Sequence, residues 1–141
     1  MWLCCRSQVV IQDLSVSGCN VSNAIDMSQC SNSSFNIISN MGVIRNEAAN
    51  ANGTVTVSGS CNLILDTCDF LHNRGIGVML RNGAGILISN STFFNNSNVD
   101  MGLKGGAILV ENGSQFHARD CNFSNNTGQD GGALHVEVRS F

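Results

Sequence analysis

The sequence predicts an all-β solenoid, one chain wound repeatedly through three parallel sheets. Three observations predict it. A unit recurs along the chain, short apolar runs alternate at period two, and Asn or Gly separates the runs. Gly105–Asn126 shifted back by 30 residues lies on Gly75–Asn96, and Gly75–Asn96 shifted back by 23 lies on Asn52–Asn73, both without a gap.

Each unit holds three pieces. The first places Val55 and Val57 with Val78 and Leu80, then Ile108 and Val110. The second places Leu63 and Leu65 with Ile86 and Ile88, then Phe116 and Ala118. The third brings Phe70, Phe93 and Phe123 into one slot, preceded two residues earlier by Cys68, Ser91 and Cys121, and followed three residues later by Asn73, Asn96 and Asn126. Alternation at period two means strands with one face inside. Asn82-Gly83, Asn112-Gly113 and Gly59-Ser60 lie between pieces, and Gly and Asn tolerate the positive φ of a sharp corner. Strands this short pair with their own copies one repeat later, about 4.8 Å away. Phe stacked on Phe fills the core, and Asn stacked on Asn forms an amide ladder inside the corner. Length variation gathers after the Asn slot: one residue, Arg74, then Ser97 to Lys104, then Thr127 to Asp130.

The first third fits less closely. Leu14, Val16, Cys19 and Val21 read as the second half of a unit, and Ile25, Met27, Phe35, Ile37, Val43 and Asn46 as a degenerate copy. Val43 and Val21 would then continue the Phe column. Residues 1–8 carry no pattern and read as an unstructured N-terminal segment, with no signal-peptide pattern. The repeat domain spans 9–141. The run Leu134-His135-Val136-Glu137-Val138 reads as a strand beginning, so a fragment of a longer solenoid is expected.

Composition agrees. Asn, Ser and Gly number 19, 17 and 15, Pro is absent, and Lys occurs once, which leaves little for a helical bundle. A net charge of -3 gives no electrostatic reason to expect nucleic acid. No apolar run approaches the roughly 20 residues of a membrane span.

Gly105-Gly106-Ala107-Ile108, Gly131-Gly132-Ala133-Leu134 and the three Phe-x-x-Asn copies at Phe70, Phe93 and Phe123 resemble the repeats of polymorphic outer-membrane proteins. More broadly the pattern resembles the right-handed, single-stranded parallel β-helix, or pectin-lyase-like, architecture. About five to six coils follow from the repeat count. The resemblance covers residues 52–141 well and 9–51 weakly; Gly75-Ile76-Gly77-Val78 is a degraded copy. It implies a secreted or cell-surface (outer-membrane) protein acting in adhesion, with a host or neighbouring cell-surface protein or glycan as partner. The other activity of the architecture is carbohydrate lysis or hydrolysis.

For such an enzyme the candidates are Arg81, Glu111, Glu137 and His135 on the outward side of the first strands. Two carboxyl groups about 5–9 Å apart are what glycoside hydrolysis uses. The plainer reading is a solvent-facing column with one salt bridge, Arg81 to Glu111, on an open, shallow face. No Asp pair, Gly-His-Gly or Arg-x-Lys signature accompanies it, so no catalytic residue is assigned. No cofactor or metal is expected, since no Cys-x-x-Cys or zinc spacing occurs. Among seven cysteines, Cys19, Cys68 and Cys121 read as small core residues. Cys68 and Cys121, two coils apart at about 9.6 Å, are too distant to bridge. Cys30 and Cys61, in or near turns, leave a bridge open. His72, His117 and His135 read as exposed. Asn-x-Ser/Thr occurs at Asn20, Asn32, Asn52, Asn90, Asn95, Asn112, Asn122 and Asn125, where composition alone produces many such matches.

Overall fold

A computed structural model describes residues 2–4, 9–18, 24–28, 30, 35–47, 53–98 and 104–137. Its regular structure is entirely strand. The first turn of the solenoid is β1 (Trp2–Cys4), β2 (Val10–Gln12) and β3 (Ser15–Ser17); the second is β4 (Ile25–Ser28), β5 (Phe35–Ser39) and β6 (Gly42–Ile44). The third is β7 (Gly53–Ser58), β8 (Asn62–Asp66) and β9 (Asp69–Leu71), and the fourth β10 (Ile76–Arg81), β11 (Gly85–Ser89) and β12 (Thr92–Phe94). The fifth is β13 (Ile108–Glu111), β14 (Gln115–Arg119) and β15 (Asn122–Ser124), after which β16 (Leu134–Glu137) begins a sixth. The first sheet runs β1-β4-β7-β10-β13-β16, the second β2-β5-β8-β11-β14, the third β3-β6-β9-β12-β15, and every pairing is parallel.

The repeat slots become stacked columns. Phe70 pairs with Phe93, and Phe93 with Phe123. Their rings stack face to face, with centroids 4.6 and 4.8 Å apart and planes within 8°. The Cys-or-Ser slot has a shared geometry. The Cys68 and Cys121 thiols and the Ser91 hydroxyl each donate to the carbonyl two residues earlier, at 3.3, 3.2 and 2.7 Å.

The Asn slot holds four members, Asn46, Asn73, Asn96 and Asn126. The Asn96 Nδ2 donates back to the Phe70 carbonyl at 2.9 Å and forward to Asn126 Oδ1 at 2.9 Å. Its Oδ1 accepts from the Asn73 backbone N–H at 3.1 Å and the Asn73 Nδ2 at 2.8 Å. Both donors and both acceptor sites of a side chain with no solvent exposure are thereby filled. Asn73 repeats the arrangement with Val43 and Asn46, and Asn126 donates to the Phe93 carbonyl at 2.8 Å.

Corners are made by left-handed residues at equivalent places. One corner stacks Asp13, Asn40, Thr67, Asn90 and Asp120; another stacks Gly18, Arg45, His72, Asn95 and Asn125. The Gly-Gly-Ala motif has two separate causes. Gly105 and Gly131 both have φ of 74°, whereas Gly106 lacks room for a side chain, since a Cβ there would lie 2.6 Å from the Thr127 carbonyl oxygen.

Cys30 and Cys61 occupy one slot on successive coils and are joined by a disulfide, with Cα atoms 4.9 Å apart. Cys68 and Cys121 are free thiols, and burial pushes Cys68 up to about 11. Cys19 lies outside the described residues.

The N-terminal third differs from the sequence reading in three ways. Trp2–Cys4 is a strand paired with β4, so residues 1–8 are not wholly without structure. Val16, not Val21, pairs with Val43 and continues the Phe column; Val21 lies outside the described residues. The inward residues of the second strand are Asn36 and Ile38, each 1% exposed, rather than Ile37, which is half-buried; the Phe35 side chain lies outside what is described. A one-residue change of phase exchanges the two faces of a strand. Asn36 is accommodated inside because it accepts from the Val9 N–H at 3.1 Å and donates to the Asn62 carbonyl at 3.2 Å.

Two predictions follow from this packing. Asn96→Asp keeps the shape but removes both donors and introduces a buried charge. It should destabilise the fold by roughly 3–5 kcal/mol, while the exposed Asn122→Asp should stay within about 0.5 kcal/mol; urea unfolding of both variants decides, and equal midpoints would remove the ladder from the account. Opening the Cys30–Cys61 bridge frees a segment of 31 residues. Loop-closure entropy at that length gives roughly 3–4 kcal/mol. Reductant should lower the urea midpoint accordingly, and should leave a variant with both cysteines changed to Ser unmoved.

Candidate functional site

The first sheet brings the proposed catalytic residues into two neighbouring rows. Glu111 pairs with Glu137, and His135 pairs with Leu109. Arg81 and Glu111 directly follow the partners Leu80 and Val110, so Arg81, Glu111 and Glu137 share one row. The chemistry of the row differs from a charge ladder. Among the described residues no ion pair joins Arg81 to Glu111. The Glu137 carboxylate instead lies 3.9 Å from Lys104 Nζ, and the Arg81 guanidinium contacts the Met79 sulfur.

The face is also less open than the sequence suggests. Met79 and Leu109 are each only 2% exposed and form a small apolar cluster with Ile76, separate from the main core. Backbone entering the first-sheet strands crosses them. A Cβ on Gly53 would lie 2.8 Å from the Met79 Cβ, and one on Gly105 or Gly131 would lie 3.4 Å from the His135 Cβ. His135 is accordingly half-buried, whereas His72 and His117 are exposed. The row therefore presents two carboxylates beside a strip in which Met79 and Leu109 are buried.

The second sheet carries a more developed surface, one that the sequence reading passed over. Its outward residues form three rows. The middle row is Val10, Ile37, Ile64, Leu87 and His117, each the register partner of the next. Val10 is 55% exposed and Ile37, Ile64 and Leu87 are half-buried. Five strands at about 4.8 Å per step make this row about 19 Å long. One flank is Gln12, Ser39, Asp66, Ser89 and Arg119; the other includes Asn62, Gly85 and Gln115. The signal lay in the outward residues at i and i+2 of the second strands, which repeat from β8 to β11 as the outward slots of the first strands do.

Asp66 is the most constrained group on this face. Its Oδ1 accepts from the Ser89 hydroxyl at 2.5 Å and the Asn90 amide at 3.0 Å, and Oδ2 accepts from Thr67 at 3.3 Å. The Ser89 hydrogen bond leads in holding its carboxyl below the ordinary value of 3.8, joined by Asn90, Thr67 and Arg119.

Potential glycan acceptors fall on corners and outward rows. Asn90, Asn95, Asn122 and Asn125 are exposed and Asn112 is partly so; Asn20, Asn32 and Asn52 lie outside the described residues. The Asn95 amide is already 2.8 Å from the His72 ring nitrogen. Among the described residues no group of three or more His, Cys, Asp or Glu is placed to hold a metal ion. Among the described residues no helix is long and apolar enough to cross a membrane.

Parallel strands in three stacked sheets and a buried amide ladder define a parallel β-solenoid. The chain belongs to the right-handed β-helix family: the model for the right handed beta helix region matches residues 3–140. Neither the curated proteins nor the solved structures provide a match.

The Asp66 arrangement is testable by NMR titration. Its carboxyl should titrate below 3.8, and Ser89→Ala should move the midpoint upward. Because the folded value is depressed, the stabilisation is present above the ordinary carboxylate range and is lost as pH falls through the folded midpoint. A midpoint unchanged by Ser89→Ala would show that the hydroxyl does not hold the charge.

Proposed function

We infer that this chain is a non-catalytic contact segment of a secreted or cell-surface protein, which engages a host or neighbouring cell-surface protein or glycan through the outer face of its second sheet. The observation that carries the reading is the row Val10, Ile37, Ile64 and Leu87, in register on four successive strands. Scattered exposed apolar residues are ordinary on any protein, whereas an ordered row rimmed by polar side chains is what an interaction surface requires. The Cys30–Cys61 bridge supports a secreted location, because disulfides persist in oxidising compartments. Exposed Asn-x-Ser/Thr sites are consistent with glycosylation there. The similarity of the Gly-Gly-Ala-Ile and Phe-x-x-Asn units to polymorphic outer-membrane repeats points to adhesion.

The carbohydrate-active alternative would rest on Glu111 and Glu137. Adjacent carboxylates are its one support, and Lys104 already engages Glu137.

Binding to an array of cell-surface proteins and glycans tests the two against each other. Ile37→Glu combined with Ile64→Glu should weaken binding at least about tenfold, a change of about 1.4 kcal/mol. Glu111→Gln should leave it unchanged, and no reducing or unsaturated sugar ends should appear. Release of such ends by the wild type, abolished in Glu111→Gln, would establish the enzyme instead.

A further inference from the structure

We propose that a groove on the outer face of the second sheet binds one uncharged sugar ring, with Asn62, Gln115 and His117 as its hydrogen-bonding groups and Leu87 as its apolar wall. The inference rests on the contact-surface reading and names the chemistry of one place within it.

The groove exists because Gly85 stands between Asn62 and Gln115 in an outward row. A Cβ at that position would meet the Asn62 amide oxygen, and the Asn62 side chain would have to swing away from the depression. The resulting depression has a volume of about 150 Å³ and is lined by Asn62, Gly85, Leu87, Gln115 and His117. At roughly 30 Å³ per water, it holds the volume of about five waters. That suits one small ring, and is below the roughly 300 Å³ at which drug-sized pockets begin.

The lining chooses the ligand class. Each side-chain amide offers both donors and an acceptor, and the imidazole offers ring nitrogens, which together match hydroxyl groups. These side chains are not consumed internally: the hydrogen bond that Asn36 makes to Asn62 uses the main-chain carbonyl and leaves the Asn62 side chain available. By contrast the Asp66, Ser89 and Asn90 side chains in and beside the neighbouring row are bonded to one another. Among the described residues no Lys, Arg, Asp or Glu lines the groove, so none of them selects a carboxylate, a phosphate or an ammonium group there. Leu87 supplies C–H surface for the less polar face of a pyranose. Single-site affinity for one such ring is weak, with Kd on the order of millimolar.

The test uses the whole, oxidised chain labelled with ¹⁵N. The probes are methyl α-glucopyranoside, methyl β-galactopyranoside, N-acetylglucosamine and sodium glucuronate. At least one neutral probe should shift the side-chain amide signals of Asn62 and Gln115 saturably. Gln115→Ala and His117→Ala, both on exposed positions of β14, should each raise the apparent Kd about tenfold, with the remaining backbone signals in place. Asn122→Asp, at an exposed position of the third sheet, should leave it unchanged. Absence of shifts with all three neutral probes, response to glucuronate alone, or wild-type binding in both variants would overturn the proposal. If sugars fail while the Ile37 and Ile64 substitutions still abolish array binding, the groove assignment falls and the contact surface stands. If sugars bind while those substitutions do nothing, the reverse holds.

Discussion

The Asn ladder is the interaction on which the rest of the solenoid depends. Among the described residues no helix and no hairpin defines a coil, and the strands are three to six residues long. Something must fix where each coil sits on the last. Asn96 does so by bonding to the coil before through the Phe70 carbonyl and to the coil after through the Asn126 amide. A buried amide left unpaired would cost about 1–3 kcal/mol, so a coil slipped by one residue loses the ladder as well as its apolar column. The aromatic stack is a consequence. The rings lie nearly parallel with centroids 4.6 and 4.8 Å apart, the spacing of the strands themselves. Backbone register brings the rings to a separation that stacked aromatic pairs also favour.

What the sequence reveals is governed by the same constraint. From Asn52 onward each inner slot repeats a residue type, and the strand registers can be read by alignment. The first third fails where a slot admits two fits. Gly18 suits either of two left-handed corners, one following Leu14 and Val16, the other following Val16 alone, and apolar spacing does not separate them. The structure places Asp13 at the first corner and Gly18 at the second, which makes Val9, Ile11, Leu14 and Val16 the inward set. In the second coil, hydrophobicity alone favours Phe35 over Asn36 for the interior. The corner residue carried the missing signal. Asn40 stacks on Thr67 with positive φ in both, so Ile38 must match Leu65, two residues before it. Turn residues anchor phase more firmly than short apolar runs do.

The outer faces obey a different logic. Alignment places Arg81, Glu111 and Glu137 in one row correctly, because that is a statement about register. It says nothing of what crosses the row. Met79 is covered where backbone enters the strands near Gly53, and His135 where it enters near Gly105 and Gly131, and those entries adjoin the parts of the unit that vary in length. Burial in the bore is thus a property of the repeat, whereas burial on the outside is a property of the insertions. A column of charged residues read from a repeat alignment is therefore weak evidence for an active site until its cover is known.

The division also bears on how such a chain acquires a function. Inner slots are constrained by both neighbouring coils, so changing one disturbs two stacking contacts and, at the Asn position, four hydrogen bonds. Outer slots touch their neighbours only along one face and tolerate Asn, Gly and Gln in a single row. Replacing one outer residue by Gly opens a groove without altering register, since the strand hydrogen bonds of Gly85 to its neighbours persist on both sides. Each such change contributes little affinity alone. Several along one rigid face act together, because binding at one row raises the effective concentration at the next. A solenoid whose stability resides in its bore can in this way alter its outer rows one residue at a time, and the second sheet, with its apolar row, its amide groove and its tethered Asp66, has the arrangement that such independence permits.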